Sequence, residues 1–290
     1  MAVPSASKIV YLNGEFMDKN DAKISIFDRG FIFGDGIYEV VPVINSKLVD
    51  RVDFWERFER SLSQIDLSLP VAKDEFEKVL YALIEKNGIK EGGIYMQVTR
   101  GASEREFKFV KGTKPTIMAF IYSQEIFDHE FADTGISIIS TPDIRWKRRD
   151  IKSISLLAQC YAKNEAAKAG VYEAFMVEDG YVTEASSSSA FIIKNDTLIT
   201  KPLSNEILPG IRRKVLLGLA EQVGLKVEQR KFSMDEVYGA DEVFISAATL
   251  ILLPVIKADG KLINDGKVGK YAPKLRELYA TKLKKEAGLI

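Results

Sequence analysis

Lys152 has the sequence surroundings that best suit covalent chemistry. It follows Arg148 and Arg149 in the stretch KRRDIKSISLLAQ. Nearby positive charges and burial both favour the neutral form of an amine, and the neutral amine is the form that condenses with an aldehyde. A solvated surface lysine is the alternative for this stretch taken alone.

Two further residues could support such chemistry. Glu184 closes a predicted strand in GYVTEASSSSAF, where an acidic residue before small hydroxyl residues is also typical of a turn. Arg57 lies one turn beyond Asp53 on a predicted amphipathic helix, and an exposed arginine would be ordinary there. Each residue is weak evidence alone, and the functional prediction depends on the order of these residues along the chain.

The start of another predicted helix, within residues 207–224, carries three cations. Arg212, Arg213 and Lys214 fall in its first turn, where the helix dipole already places positive charge. One interpretation is that all three point into water and are screened by salt. The other is that an anion binds at this helix start, held by N–H groups and the added charge.

Composition excludes several classes of function. The 290 residues contain 41 Lys and Arg and 41 Asp and Glu, so no global positive field would attract nucleic acid or an anionic membrane. No uncharged run approaches the roughly 20 residues of a membrane span, and the N-terminal stretch MAVPSASKIVYLNGEF lacks the pattern of a signal peptide. We therefore expect a cytoplasmic protein without nucleic-acid or membrane partners.

Single copies of histidine and cysteine narrow the chemistry further. His129 is the one histidine and lies in a polar stretch, so metal sites built on several histidines are excluded. Cys160 is the one cysteine, which excludes an intrachain disulfide and fits a reducing compartment. Acid–base chemistry must then come from Lys, Tyr or carboxylates.

Hydrophobic periodicity predicts two mixed α/β regions separated by residues 124–134. The first region, 1–123, contains a hairpin at Asn13-Gly14, three further strands and two helices. The second, 135–290, contains strands and three helices in irregular alternation, with DEVFISAATLILLPVI read as one strand region. We predict a fold of the α/β class (α+β type), with a small N-terminal domain, a linker and a larger cofactor-binding domain.

Eight blocks of sequence, in this order, resemble the class IV pyridoxal-phosphate aminotransferases, the family of D-amino acid and branched-chain aminotransferases. The blocks are DRGFIFGDGIYEV, RFERS, YMQVTRG, DIKSISLL, YEAFMVEDGYVTEASSSSAF, LPGIRR, FISAATLILLPV and DGKLINDGKVGKYAPKL. They cover nearly the whole chain. The resemblance implies a two-domain fold with a β-barrel-like C-terminal domain, the cofactor pyridoxal 5′-phosphate, and a homodimer.

The resemblance also assigns roles to residues. Lys152 matches the Schiff-base lysine that then moves the proton between the substrate Cα and the cofactor. Glu184 matches the carboxylate that pairs with the pyridine nitrogen, and Arg57 the phosphate-binding arginine. Leu208 would pack on the ring. Ile211 and the following residue, Arg212, would present backbone N–H groups to the phosphate.

Two positions depart from the family pattern near that phosphate. Arg212 stands where the family has threonine, and Ala248 stands where threonine is common. Thr249 could supply part of the lost hydroxyl contacts. The hypothesis from sequence is that the Arg212 guanidinium contacts the phosphate in place of a hydroxyl, and the alternative is that it points outward.

The substrate prediction rests on three residues. Tyr38 and Arg105 match a tyrosine and an arginine that bind the substrate carboxylate in D-amino acid aminotransferases, with the arginine coming from the neighbouring subunit. Phe107 replaces a histidine of well-known members, which leaves an apolar wall. We expect transamination between a D-amino acid, such as D-alanine or D-glutamate, and a 2-oxo acid.

Three alternatives stay open from the sequence. An (R)-selective amine or branched-chain aminotransferase would suit the apolar Phe107. An aminodeoxychorismate lyase would use the same cofactor and lysine. A protein that binds pyridoxal phosphate without catalysis would need no substrate site.

Overall fold

The computed structural model describes residues 7–290, and the first six residues, part of the stretch used above to predict localisation, lie outside the described residues. The chain forms two compact units. The first unit consists of the chain up to Glu125 together with Ile151–Ser155 and Leu283–Ile290. The second consists of Ile126–Asp150 and Leu156–Lys282.

The first unit is a six-stranded sheet with helices. Its strands are β1 (Ile9–Leu12), β2 (Glu15–Asp18), β3 (Gly36–Ile44), β4 (Lys47–Leu48), β5 (Glu91–Thr99) and β6 (Thr116–Ser123). Its helices are α1 (Arg29–Phe33), α2 (Arg51–Ser63) and α3 (Lys73–Asn87). The strand order is β2-β1-β6-β5-β3-β4, and every pair in it is antiparallel.

Helix α2 packs one apolar face inward because its large side chains recur at helical spacing. Phe54, Phe58 and Leu62 are buried at positions i, i+4 and i+8. Arg57 lies on the same helix and is also buried, with 8% of its surface exposed. The helix therefore carries a charged group at the margin of an aromatic core.

The segment that contains Lys152 belongs to the first unit, although it falls inside the predicted C-terminal domain 135–290. It runs beside the start of β3: the Tyr38 N–H donates to the Lys152 carbonyl at 3.0 Å, and the Ile154 N–H donates to the Gly36 carbonyl at 3.1 Å. Contacts between segments distant in sequence leave no local signal in the chain, and the domain boundaries given above stay a prediction.

The second unit is built on a nine-stranded mixed sheet that curls into a half-barrel. Its strands are β7 (Ile136–Pro142), β8 (Glu173–Glu178), β9 (Tyr181–Ala185), β10 (Ser189–Lys194), β11 (Thr197–Thr200), β12 (Lys226–Gln229), β13 (Glu242–Ser246), β14 (Leu253–Ala258) and β15 (Lys261–Leu262). The order is β12-β11-β10-β13-β14-β7-β8-β9, with β15 paired to β14. The predicted fold class is confirmed.

Four α-helices and two 3₁₀ turns accompany this sheet. They are α4 (Leu157–Lys168), α5 (Ile211–Leu219), α6 (Met234–Tyr238), α7 (Tyr271–Ala287, counted to this unit up to Lys282), and the turns Ala220–Val223 and Asn264–Gly266. The apolar run after Asp241 forms the antiparallel strands β13 and β14 instead of one strand, because residues 247–252 leave the sheet as a loop.

Within the described residues, no helix combines the length and the apolar composition that crossing a membrane requires.

A buried ion cluster holds the segment before β3. Asp35 accepts hydrogen bonds from Arg29 at 2.7 Å and from Arg100 at 2.9 and 3.1 Å, and all three side chains are almost fully buried. Arg29 also donates to the carbonyl groups of Glu106 and Phe107. The cluster thus ties α1 and the loop after β5 to the strand that carries Tyr38.

Asp35→Ala is expected to lower the free energy of unfolding by about 3–5 kcal/mol, because it leaves two buried guanidinium groups without their counter-charge. Urea unfolding measures this loss. Lys73→Ala, which breaks the exposed pair with Glu59, is the control and should change stability little. A loss at Asp35 no larger than that of the control would contradict the role given to the cluster.

Candidate active site

The residues that the resemblance assigns to the cofactor and substrate are divided between the two units. Lys152, Arg57, Tyr38, Arg105 and Phe107 belong to the first unit. The second unit contains Glu184, Leu208, Ile211, Arg212, Ala248 and Thr249. Each group is described within its own unit.

In the first unit, Lys152 and Tyr38 are brought together. Their backbones are hydrogen-bonded, and the Lys152 Nζ lies 4.1 Å from the centroid of the Tyr38 ring. Tyr38 itself stacks on Tyr95, with ring centroids 5.4 Å apart. The tyrosine pair gives the half-buried amine a rigid aromatic wall, so that the amine is fixed relative to β3.

Arg148 and Arg149 do not act as bare cations, contrary to the expectation from sequence. The Arg148 Nε donates to Asp150 at 3.0 Å, and the Arg149 Nη1 donates to Glu178 at 2.6 Å. These carboxylates neutralise the charges that were expected to favour a neutral Lys152. Adjacency in sequence indicated positive charge but did not reveal the compensating partners.

Arg57 is held by a carboxylate that the sequence argument missed. Its Nε and Nη2 donate to the two oxygens of Glu39 at 2.6 and 2.8 Å, and Glu39 is fully buried. This two-pronged geometry fixes the plane of the guanidinium and uses two of its five N–H donors. The signal was present in the sequence, because Glu39 directly follows Tyr38 on β3 and alternation turns it to the opposite face.

Arg105 and Phe107 lie on the exposed loop between β5 and β6. The Arg105 guanidinium lies 5.0 Å from the Phe107 ring and 5.6 Å from the Phe33 ring. Phe107 is 74% exposed. The described ring contacts of Arg105 are with Phe33 and Phe107, and its contact with a substrate in the neighbouring subunit stays a prediction.

In the second unit, Glu184 is a buried carboxylate with strong partners. The Arg145 Nη1 donates to it at 2.6 Å. Arg145 is in turn fixed by Asp143 at 2.7 Å. Arg145 was missed by the sequence analysis, although the pair Asp143 and Arg145, two residues apart, was visible in PDIRW.

These partners set the charge of Glu184. Burial raises the pKa of Glu184, and the positive charge of Arg145 together with the Leu208 N–H offsets only part of that effect. Burial alone would also raise the pKa of Asp143, but hydrogen bonds from Arg145 and Thr183 outweigh it and the pKa is lowered. The site thus holds Asp143, which stays ionised, beside Glu184, whose affinity for a proton is increased.

The start of α5 is not a solvated cluster of cations. Arg212 and Arg213 are 2% and 4% exposed, and only Lys214 of the three faces water. Arg213 donates to the Lys201 carbonyl and to Gln229, both at 2.8 Å, and burial lowers its pKa. The interpretation that all three cations point outward is wrong, and so is the outward alternative for Arg212.

The same helix start has the features of a phosphate cradle. Gly210 precedes α5 without any side-chain cap, so the first turn directs N–H groups that the helix itself does not satisfy. A Cβ at Gly210 would lie 2.6 Å from the Ser189 Oγ, so a larger residue would displace that hydroxyl group. Among the described residues, the buried Ser246 Oγ has no hydrogen-bond partner. These donors and this close approach fit the phosphate of pyridoxal phosphate.

The serine run 186–189, read as a loop from sequence, is anchored by a buried carboxylate. Ser186, Ser187 and Ser188 all donate to Glu173, the last two at 3.2 and 3.5 Å. Because this run begins two residues after Glu184, the hydroxyl groups fix the end of the strand that carries it. Their role is positional.

Glu184→Gln should remove a pH dependence of stability. A carboxyl group whose pKa is higher in the folded than in the unfolded chain stabilises the fold less as the pH rises above the ordinary value of about 4.3. The stability of the unmodified protein relative to Glu184→Gln should therefore fall with rising pH, by at most about 1.4 kcal/mol per pH unit. Urea unfolding over a pH series measures this, with Glu221→Gln at an exposed position as control. If the unmodified protein instead became more stable relative to Glu184→Gln as the pH rises, the raised pKa would be contradicted.

The chain is similar in sequence to aminotransferases over most of its length. It is 41% identical over 270 residues to the D-alanine aminotransferase of Staphylococcus aureus (strain N315), and the aligned region covers 92% of this chain and 95% of the relative. It is 36% identical over 260 residues to the D-alanine aminotransferase of Bacillus licheniformis, covering 90% and 92%.

Solved structures show the same fold. The branched-chain amino acid aminotransferase of Escherichia coli superposes with a TM-score of 0.90 at 21% identity, covering 97% of this chain and 96% of that one. The branched-chain aminotransferase of Thermoproteus uzoniensis with norvaline gives a TM-score of 0.85 at 24% identity, covering 97% and 95%. The profile of the family described as amino-transferase class IV matches residues 36–258. The chain therefore belongs to the class IV aminotransferases, a family of pyridoxal-phosphate-dependent enzymes.

Proposed function

We propose that the protein is a D-amino acid:2-oxo acid aminotransferase that uses D-alanine or D-glutamate as amino donor and pyruvate or 2-oxoglutarate as acceptor. The observation that supports this most strongly is the 41% identity to a D-alanine aminotransferase over nearly the full length of both chains. The presence of Tyr38 and Arg105, which the resemblance assigns to the carboxylate of a D-amino acid, agrees with the proposal.

Lys152 is the proposed catalytic residue. Bound pyridoxal phosphate supplies an aldehyde for the lysine and a ring that accepts the electron pair left when a proton leaves the substrate Cα. The Lys152 Nζ would take that proton from the substrate Cα and would then donate it to C4′ of the cofactor. The backbone pairing with β3 and the Tyr38 wall hold the amine in place for both transfers.

The resemblance assigns the other cofactor contacts. Glu184, kept in place by Arg145, would pair with the pyridine nitrogen and keep it protonated. Leu208 would pack against the ring. Arg57 and the N–H groups of Ile211 and Arg212 would hold the phosphate, with Ala248 and Thr249 in the adjoining loop. The donor set combines guanidinium and helix N–H groups, which suits a dianion.

A homodimer is the proposed assembly. In the first unit, Phe31 on α1, Ile26 before it and Phe107 on the neighbouring loop are each more than 70% exposed. The Phe33 and Phe107 rings lie 5.5 Å apart, which links α1 to the loop. Exposed apolar groups of this kind mark a surface that another chain covers. The cytoplasmic location stays a prediction from the sequence.

A donor panel tests the proposed substrate class. D-alanine added to the holoprotein should convert the visible absorption band of lysine-bound cofactor to the band of the amine form, and 2-oxoglutarate should restore it. L-leucine and an (R)-amine should leave the band unchanged. Conversion by L-leucine but not by D-alanine would instead indicate a branched-chain aminotransferase. Pyruvate release from aminodeoxychorismate would indicate the lyase.

Arg105→Ala is expected to raise the KM for D-alanine by about 10-fold to 100-fold, because the substrate carboxylate loses a charged hydrogen bond. The kcat at saturating donor should change much less. Lys108→Ala, which removes a positive charge from the same exposed loop, is the matched control. Equal KM values for the two variants would exclude Arg105 from the carboxylate site.

A further inference from the structure

Two N–H groups of Arg212 donate to the same backbone carbonyl. Its Nε and Nη2 donate to the Ala248 carbonyl at 3.2 and 2.6 Å, and the side chain is 2% exposed. Its guanidinium also lies 4.7 Å from the centroid of the Tyr279 ring on α7. The group is therefore fixed between the loop and α7, and its strongest described contact is with the loop.

That contact fixes the orientation of one peptide unit. The peptide bond between Ala248 and Thr249 is planar and trans, so its C=O and its N–H point in opposite directions. With the Ala248 oxygen held by Arg212, the Thr249 N–H is directed to the other side of the loop.

The far end of the loop is held in the same manner. The Arg276 Nη1 donates to the Leu252 carbonyl at 2.7 Å, and its Nη2 donates to the Phe127 carbonyl, also at 2.7 Å. Residues 247–252 thus run between two guanidinium–carbonyl contacts, with Arg276 and Tyr279 both on α7. The conformation of the loop is set by side chains outside it.

This loop adjoins the cradle at the start of α5. Ser246, the last residue of β13, pairs in register with Ser189 on β10. The Ser189 Oγ in turn abuts Gly210, where α5 begins. The chain of contacts joins the helix start, the buried Ser246 hydroxyl and the loop in one region of the second unit.

We propose that Arg212 is a positioning residue that orients the Ala248–Thr249 peptide toward the cofactor phosphate, and so replaces hydroxyl contacts by a fixed backbone donor. This inference rests on the proposed function and concerns its phosphate site. It differs from the direct guanidinium–phosphate contact expected from sequence. The departures at Arg212 and Ala248 then form one coupled change.

The test compares the binding of pyridoxal phosphate and of pyridoxal, which lacks the phosphate, to apoprotein prepared from the holoprotein. Arg212→Met removes the guanidinium donors, introduces no hydroxyl, and should weaken pyridoxal phosphate binding about 10-fold to 100-fold while leaving pyridoxal binding unchanged. Lys214→Met is the matched control, since it removes one cation from the same first turn at an exposed position. Equal affinities of Arg212→Met and Lys214→Met for pyridoxal phosphate would overturn the proposal.

A double-mutant cycle separates positioning from direct contact. Ala248→Gly loosens the loop and should weaken pyridoxal phosphate binding in the unmodified protein, but add little in the Arg212→Met background, where the loop is already released. Additive effects would overturn the proposal. Arg212→Lys keeps the charge without the planar fork and should lose most of the affinity. Full affinity in this variant would indicate a simple charge contact and overturn positioning.

The outcomes also separate this inference from the proposed function. If the unmodified protein binds pyridoxal phosphate and transaminates D-alanine while Arg212→Met binds the cofactor equally well, only the inference is overturned. If the unmodified protein does not bind pyridoxal phosphate, the proposed function is overturned with it.

Discussion

A carboxylate or guanidinium that leaves water must meet an opposite charge or several hydrogen bonds, because an uncompensated buried charge costs several kcal/mol. Both units are organised by this constraint. In the first, Glu39 fixes Arg57; in the second, Arg145 fixes Glu184. Each pair holds a group that the chemistry needs in one orientation before any ligand arrives, which is what preorganisation requires.

The same constraint applies at the start of α5, where the buried charges are harder to compensate. A positive helix end with two buried arginines lacks local compensation from acidic residues in its first turn. Backbone carbonyl groups supply part of this compensation: Arg213 donates to the Lys201 oxygen, and Arg212 donates to the Ala248 oxygen. In the proposed holoenzyme the cofactor phosphate supplies the remaining negative charge, so cofactor binding and the stability of this helix end are coupled.

Long periodic segments were predictable from the sequence, and contacts distant along the chain were not. The spacing of Phe54, Phe58 and Leu62 indicated α2, and the order of motifs led to Lys152 and Glu184. The five-residue helix α1 and the loop between β13 and β14 lack a repeat long enough to detect.

Partners of charged residues were the main omission. Glu39 and Arg145 are evident in the sequence as charged residues near the motifs. Their contacts with Arg57 and Glu184 are not, since a charged side chain gives no sign in the sequence of which opposite charge it meets. Burial of Arg213 was also missed, because the unfavourable placement of cations at a helix start suggested solvent, whereas for Arg212 an inward orientation was already the hypothesis from sequence. The site roles of Lys152, Glu184 and Arg57 remain predictions that need chemical evidence.

Reduction of the holoprotein with borohydride, followed by peptide mass mapping, identifies the residue that holds the cofactor. Borohydride makes the bond between the cofactor and its lysine permanent, so the phosphopyridoxyl group stays on the residue that held it. We expect a label on the peptide that contains Lys152, and no label in Lys152→Ala. A label on another lysine, or a fully labelled Lys152→Ala variant, would contradict it.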